Sequence, residues 1–361
     1  MSQRIRIKDI AEETGVSIGT VDRVIHNRGH VASDVRQRIL QAMEKLGYEP
    51  NILARMLANN RVFRIAALLP DFRQDPYWVQ PKEGVEKAAL AVQHYGVRVE
   101  YHFFHLFDAA DFQQKAREAL DSKPDALLVA PLFRTEGEAL LREAAALGLG
   151  VVTINTNLED AECLCYIGQE SYQSGVLAGR LLNFGLNDGD HVMILNLDRA
   201  VTNARHLLDK ERGFRDFFKS VEDKTVTVHS EVFEEFDDLP RLRTWMQQQI
   251  EQTPRLSGIF VTNSRAYKLA EALTKETLQR IKIVGFDLVD ANLKYLADNK
   301  IRFLINQNAW HQGYLGIITL VNKIILKKEV GQRQYLPLDI VVRENVEYYL
   351  KRTLEMPMVV V

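Results

Sequence analysis

IKDIAEETGVSIGTVDRVIHNRGHVASDVRQRILQAMEKLGYEPNILARML, residues 7–57, decides how this 361-residue chain is organised. Ile7, Ile10 and Ala11 share a helical face before Thr14-Gly15-Val16 interrupts it, and Gly15 can take the positive φ of a tight turn. Ser17 offers an N-cap hydroxyl to a second helix that carries Val21, Val24 and Ile25 on one side. Ser33 is expected to cap a third helix, whose Val35, Ile39, Ala42, Met43 and Leu46 recur at helical spacing until Gly47 stops it. Helix, short glycine turn, helix is a helix-turn-helix, and so short a unit makes a core only if its three helices pack together. Pro50 closes it. The segment that follows, NILARMLANN (Asn51–Asn60), is at ~10 residues too short to be a stable helix alone in water.

From Arg64 onward the pattern changes. Apolar runs recur at Ile65–Leu69, Ala126–Ala130, Val151–Ile154, Val192–Leu195, Gly258–Val261 and Ile281–Val284, with helical stretches such as Val85–Tyr95, Asp111–Leu120 and Gly137–Leu147 between them. Near-continuous apolar strands alternating with helices mean parallel sheets covered on both faces. The remaining length is too great for one such sheet, so two similar lobes are expected. The predicted fold class is α/β: an all-α helix-turn-helix headpiece (1–50), a linker (51–61), and a two-lobed domain of doubly wound parallel sheets (62–361). Lobe one is placed at about 63–155 and 309–337, and lobe two at about 158–306 and 340–361.

Charge follows the same division. The whole chain carries 46 Lys+Arg against 48 Asp+Glu, a net of -2 that argues against nucleic acid as a partner. Residues 1–62, however, hold ten basic and seven acidic side chains (+3), and the rest hold 36 and 41 (-5). A basic amino end on an acidic body suits a small nucleic-acid module fused to something else. The opening MSQRIRIKDI lacks the apolar region of a secretory signal, and no apolar run approaches the ~18–20 residues of a membrane span. Cys163 and Cys165, one residue apart on an expected strand, suit neither an ordinary disulfide nor zinc. The protein is therefore expected to be cytoplasmic, with no membrane association, metal or cofactor.

In a helix-turn-helix the second helix enters the major groove, and side chains near its start reach base edges. Here these are Ile18 and Gly19, then Arg23 one turn on, whose planar fork matches guanine O6 and N7. Ser17, Thr20 and His30 are placed to bond phosphates, and His26 is grouped with them as a DNA contact. The residues Asp9-Ile10-Ala11, Gly15-Val16-Ser17, Thr20-Val21, Arg23-Val24, Val31, Arg36, Gly47-Tyr48-x-Pro50-Asn51 and Ala54-Arg55-x-Leu57 form an unbroken pattern. It resembles the DNA-binding headpiece of the lactose-repressor (LacI) family. That resemblance implies a dimer on a palindromic operator and makes Asn51, Ala54 and Leu57 part of a hinge helix. Leu57 would wedge between base steps, in keeping with a helix ordered only by binding. Asp22, where a small polar residue is usual, and Gly19, which offers no side chain, mean that no operator sequence carries over.

In open α/β sheets ligands bind beyond the carboxyl ends of the strands. Asp75, Tyr77 and Trp78 follow the first strand; Asn155 follows VVTI; Phe236 follows the run Thr225–Phe233; Asn263 follows IFVT; Asp287 follows IVGF; Gln307 follows FLIN. Amides and carboxylates that engage hydroxyls, with aromatic faces against C–H patches, suit a sugar. Residues 65–343 also resemble the ribose-binding type of periplasmic sugar receptor. By that resemblance Asp75 stands for a sugar-bonding asparagine, Tyr77 and Trp78 for stacking aromatics, and Asn155 for an aspartate. Asn263, Asp287 and Gln307 match directly, Phe236 matches a ring of the second lobe, and Arg205 supplies a guanidinium. Thr156 stands where a second arginine is usual, so the implied ligand is a monosaccharide or close derivative rather than ribose itself.

No HExxH, P-loop, GxSxG or GxGxxG after the first strand is present, and Asp75 with Asp287 needs no catalysis to explain it, so no enzyme is expected. The expected function is a sugar-responsive DNA-binding transcriptional regulator, in repressor form. Two alternatives remain: a sugar-binding or sequestering protein whose helical end only docks to a partner, and a regulator whose effector is a purine or nucleoside stacked on Tyr77 and Trp78.

Overall fold

A computed structural model describes residues 5–25, 28–48, 62–158, 161–199 and 204–349. Contacts divide the chain after Arg61 into two units. In the first, α1 (Ile7–Thr14), α2 (Ile18–Ile25) and α3 (Ser33–Leu46) enclose Ile10, Ala11, Val21, Val24, Ile39 and Ala42. Gly15 sits at φ 66° and turns α1 into α2, and the Ser17 hydroxyl accepts from the Thr20 N–H at 3.2 Å as a cap. Ser33 does not cap α3. It is the helix's first residue, and Ala32, whose side chain bears no acceptor, occupies the cap position. His26 and the whole segment 49–61, with Asn51, Ala54 and Leu57, lie outside the described residues.

The second unit holds two six-stranded sheets of one design. Sheet one comprises β1 (Phe63–Pro70), β2 (Val97–Phe104), β3 (Ala126–Val129), β4 (Gly150–Ile154), β5 (Cys165–Gly168) and β11 (Arg333–Tyr335), in the order β2-β1-β3-β4-β5-β11. Sheet two comprises β6 (His191–Asn196), β7 (Thr227–Val232), β8 (Leu256–Val261), β9 (Lys282–Phe286), β10 (Phe303–Asn306) and β12 (Asp339–Val341), in the order β7-β6-β8-β9-β10-β12. All pairs are parallel except β10 with β12. Central strands such as Ala126–Val129 are buried along their whole length, as helices on both faces require. The lobe boundary expected near 158 falls too early. β5 pairs with β4, so lobe one runs on to Gly168 and the first crossing begins at Gln169. Nothing in the local sequence distinguishes the last strand before the crossing from the first strand of the next lobe.

Each lobe carries a helix pair packed backbone to backbone. In lobe two, α7 (Ser171–Asn183) lies on α8 (Arg205–Lys219); a Cβ at Gly175 would overlap the Lys210 carbonyl, and one at Gly213 the Tyr172 carbonyl. In lobe one, α4 (Val79–Val92) and α13 (Ala309–Ile324) repeat the device through Gly84 and Gly313. Gly213→Ala is expected to push α7 and α8 apart and cost ~1–3 kcal/mol, read from chemical denaturation. An unchanged unfolding midpoint would sink this packing account.

Candidate functional site

The carboxyl ends of both sheets face one cleft, which leaves about 630 Å³ of unfilled space counted out to its mouth. The duplicated strand order brings equivalent turns together. Asn155 after β4 and Asp287 after β9 both hold a φ of 67°, a conformation rarely adopted by residues other than glycine and found preferentially at functional sites. Gln169 after β5 and Gln307 after β10 are likewise equivalent, and their amides hydrogen-bond to each other.

Seven of the nine cleft residues expected from sequence line the cavity: Asp75, Tyr77, Trp78, Asn155, Asn263, Asp287 and Gln307. Asp75 caps the single helical turn Pro76–Trp78 by accepting from the Tyr77 N–H at 2.9 Å. That turn sets the Tyr77 and Trp78 rings edge to face, with centroids 4.9 Å apart. The Asn155 amide donates to the Tyr77 hydroxyl at 2.8 Å, and burial near Asp287 pushes that phenol well above its usual pKa. Asn263 spends its amide on the backbone, donating to the Leu197 carbonyl at 3.0 Å and accepting from the Arg265 N–H at 3.2 Å. It shapes its loop as well as lining the cavity.

The other two do not line it. Arg205 turns to Asp209, with Nε to Oδ2 at 2.9 Å. Successive helical residues point ~100° apart, and the next residue, His206, faces the cavity together with Lys210 one turn further on. Phe236 is buried behind Arg265, whose guanidinium lies 4.7 Å from the ring centroid, and so it backs a wall residue instead of meeting the cavity.

Arg265 is the functional residue sequence reasoning missed most plainly. Its Nη2 donates to Asp75 Oδ2 at 2.6 Å, and its Nη1 to Asp198 Oδ2 at 3.1 Å and to the Leu197 carbonyl at 2.9 Å. Asp75 belongs to lobe one and Arg265 to lobe two, so this buried ion pair spans the cleft. The Thr156 hydroxyl and His206 Nδ1, 3.2 Å apart, make a second link across it. Phe107 of lobe one faces Arg265 and Phe236 of lobe two, a third. The lobes are closed on one another.

Lys210 is almost fully buried. Its Nζ donates to the Thr262 carbonyl at 2.9 Å and to Gln307 Oε1 at 3.3 Å, and lies 3.6 Å from the Phe286 ring centroid. Gln307 Nε2 donates in turn to Asp287 Oδ2 at 2.6 Å. Burial pushes the Asp287 carboxyl up and the Lys210 ammonium down, each held partly in check by the charge of the other. Burial, helped by Lys210, lowers the His206 pKa to about 3, so that imidazole is neutral near pH 7. Tyr166 and Asn292 brace the site from behind. The Tyr166 hydroxyl donates to the Asn155 and Gln169 carbonyls, and the Asn292 amide to those of Ser264, Phe286 and Asp287. Among the described residues no group of three His, Cys, Asp or Glu could hold a metal ion, and no helix is long and apolar enough to cross a membrane.

On the headpiece, Ser17, Ile18, Gly19, Arg23 and His30 are exposed and Thr20 is half-buried. Ile18, a large hydrophobe at the start of α2, is 53% exposed. Arg23 Nε donates to the Gly19 carbonyl at 3.2 Å, one turn back on its own helix.

An exposed helix-turn-helix and a closed two-lobed cleft define a regulator with separate DNA-reading and ligand-sensing parts. The family description for bacterial regulatory proteins, lacI family, matches residues 6–51, and that for a periplasmic binding protein domain matches residues 65–329. The chain thus carries an amino-terminal DNA-binding domain of the lacI family of bacterial regulatory proteins, and its larger part belongs to the periplasmic binding protein domain family. It is 23% identical to the ribose operon repressor of Halalkalibacterium halodurans over 94% of this chain and 96% of that one. It is 25% identical to the sucrose operon repressor of Pediococcus pentosaceus, over 78% and 82%. A crystal structure described as a LacI transcriptional regulator from Bacteroides fragilis shares the fold, with a TM-score of 0.73 at 24% identity, covering 80% of this chain and all of that one.

Proposed function

We propose that the protein is a sugar-responsive transcriptional repressor, acting in the cytoplasm as a homodimer on a palindromic DNA operator. A monosaccharide or close derivative binds in the interlobe cleft and switches it. The observation that carries this reading is the cleft. Strand ends of two lobes converge there with buried amides and carboxylates beside aromatic edges, the chemistry that engages ring hydroxyls. The relatives named for ribose and sucrose operons support a sugar as effector. The polar groups meet one another across the cleft and hold no arrangement for bond breaking, so we read the site as binding and not catalytic.

Arg23 supplies the test of the DNA-reading half. DNA selected from a random pool by the full-length protein should bind the Arg23→Ala variant ~1–3 kcal/mol more weakly, while salt-sensitive binding to unselected DNA persists. Equal affinity of variant and parent for the selected DNA would favour a helical end that only docks to a partner.

A further inference from the structure

Among the described residues the chain crosses between the lobes at 169–170 after β5, at 307–308 between β10 and α13, and at 336–338 between β11 and β12. Side chains knit the second and third crossings together. Asn308 is the cap residue of α13, yet its side chain makes no cap bond to that helix. Its Nδ2 turns to the third crossing instead, donating to the Pro337 carbonyl at 2.9 Å and to Asp339 Oδ2 at 3.0 Å. Its backbone sits at φ 54°, ψ 46°, a left-handed conformation that Asn tolerates better than most residues. Asn306 supports it there by accepting from the Asn308 N–H at 3.2 Å. Asn306 also stands opposite Asp339 in the β10–β12 pair, with its Nδ2 3.4 Å from Asp339 Oδ2. The Leu336 N–H donates to the Gly168 carbonyl at 2.8 Å, which ties the third crossing to the end of β5 beside the first. Asn308 caps a helix of lobe one and Asp339 opens a strand of lobe two, so the bond between them spans the lobe boundary. Asn308 directly follows Gln307, which lines the cavity.

Resting on the sugar reading above, we propose that Asn308 and Asp339, with Asn306 between them, form a pivot clip. They are positioning residues that join the second and third crossings into one body, so that the lobes close in a single pose with Gln307 in place. Neither Asn308 nor Asp339 lines the cavity, so the clip acts through closure and not through contact with the ligand. Without it each crossing bends independently, and the closed pose becomes one of several. The apparent affinity for the effector then falls in proportion to the fraction of molecules that still hold that pose. A carboxylate suits the role, because a hydrogen bond to an ionised acceptor is stronger than one between neutral groups.

The test begins with a thermal-shift panel of D-ribose, D-arabinose, D-xylose, D-glucose, D-galactose and D-fructose on the full-length protein. The sugar that raises the melting midpoint is then titrated by calorimetry into the parent and its variants. Asp339→Ala should weaken binding ~10-fold, and so should Asn308→Gly, which permits the left-handed backbone and removes only the side chain. The double variant should be no weaker than either single, because both remove one clip. Asp339→Asn keeps an oxygen that accepts from both amides and should stay within ~2-fold of the parent. Full affinity in Asp339→Ala or Asn308→Gly, or losses that add in the double variant, overturn the clip. A loss in Asp339→Asn as large as that in Asp339→Ala also overturns it and assigns the effect to charge alone. No response to any sugar overturns the sugar reading, and the clip is then decided on the unliganded protein. Trp78, 3% exposed in the cavity wall, should be quenched by acrylamide more readily in Asp339→Ala than in the parent, and equal quenching refutes the clip. Should Asp339→Ala fail to fold, Asn308→Gly is read in its place.

Discussion

Arg265→Ala is expected to destabilise the effector domain by ~3–5 kcal/mol, read as a lower urea midpoint, because it leaves the buried Asp75 carboxylate without its counter-ion. Asp75, 6% exposed, would lose the Nη2 donor, and Asp198 the Nη1 donor. Lysine should rescue little. A single ammonium cannot meet carboxylates on two lobes as the planar fork does. The same residue holds the cleft shut, since its partners sit at the ends of β1 and β6 in different sheets. Where the lobes part enough for water to reach Asp75, part of the cost appears instead as lost closure, and small-angle scattering of the variant should then show a larger radius of gyration. An Arg265→Ala protein with the parent's midpoint and the parent's radius contradicts the latch.

The second large effect is acid sensitivity through His206. Burial, helped by the charge of Lys210, lowers the His206 pKa to about 3 in the folded protein from the ordinary imidazole value of about 6.5, so between these limits the unfolded chain binds a proton that the native one does not. Stability from this group is present in full above about pH 6.5 and falls by ~1.4 kcal/mol per pH unit as the medium is acidified toward pH 3. Carboxylates titrate in the lower part of that window, so the useful quantity is a difference. His206→Gln should lose less stability than the parent between pH 6.5 and 5, by ~2 kcal/mol. Parallel stability–pH curves for the two proteins would show that His206 is not desolvated as described. The link to function is direct, because the imidazole lies beside Lys210 and bonds Thr156 across the cleft.

Much of this architecture was legible because periodicity and burial are local properties of a chain. The apolar runs at Ala126–Ala130 and Val151–Ile154 became central strands, and the face Val35, Ile39, Ala42, Met43, Leu46 became the inner side of α3. Strand ends also carried over well. A parallel sheet delivers every carboxyl end to one edge, so Asp75 with Asn155 in one lobe, and Asp287 with Gln307 in the other, share an edge once the strands are right. What failed depended on rotation or on pairing. Arg205 and His206 differ by one helical step, and only packing decides which of them enters the cleft. β5 carries no mark of the lobe it joins.

Two omissions had signals that could have been read. Lys210 lies among Leu207, Phe214 and Phe217 on the buried face of α8, and a lysine on an apolar stripe is a buried cation in need of a partner. Arg265 follows Asn263 by two residues past a strand end, within reach of the same edge. Asn263 was found for a reason only half right, since its amide is occupied in shaping the loop that presents Arg265.

The central claim is that sugar binding in the cleft changes DNA affinity at the headpiece. Coupling of this kind is a free energy shared by the two sites, commonly ~1–3 kcal/mol. It is measured most directly by fluorescence anisotropy of the DNA selected by the full-length protein, titrated with and without the sugar that raises its melting midpoint. The account predicts a change in DNA affinity of at least ~5-fold, with the DNA altering sugar affinity by the same factor. Identical DNA affinity at saturating sugar would contradict it.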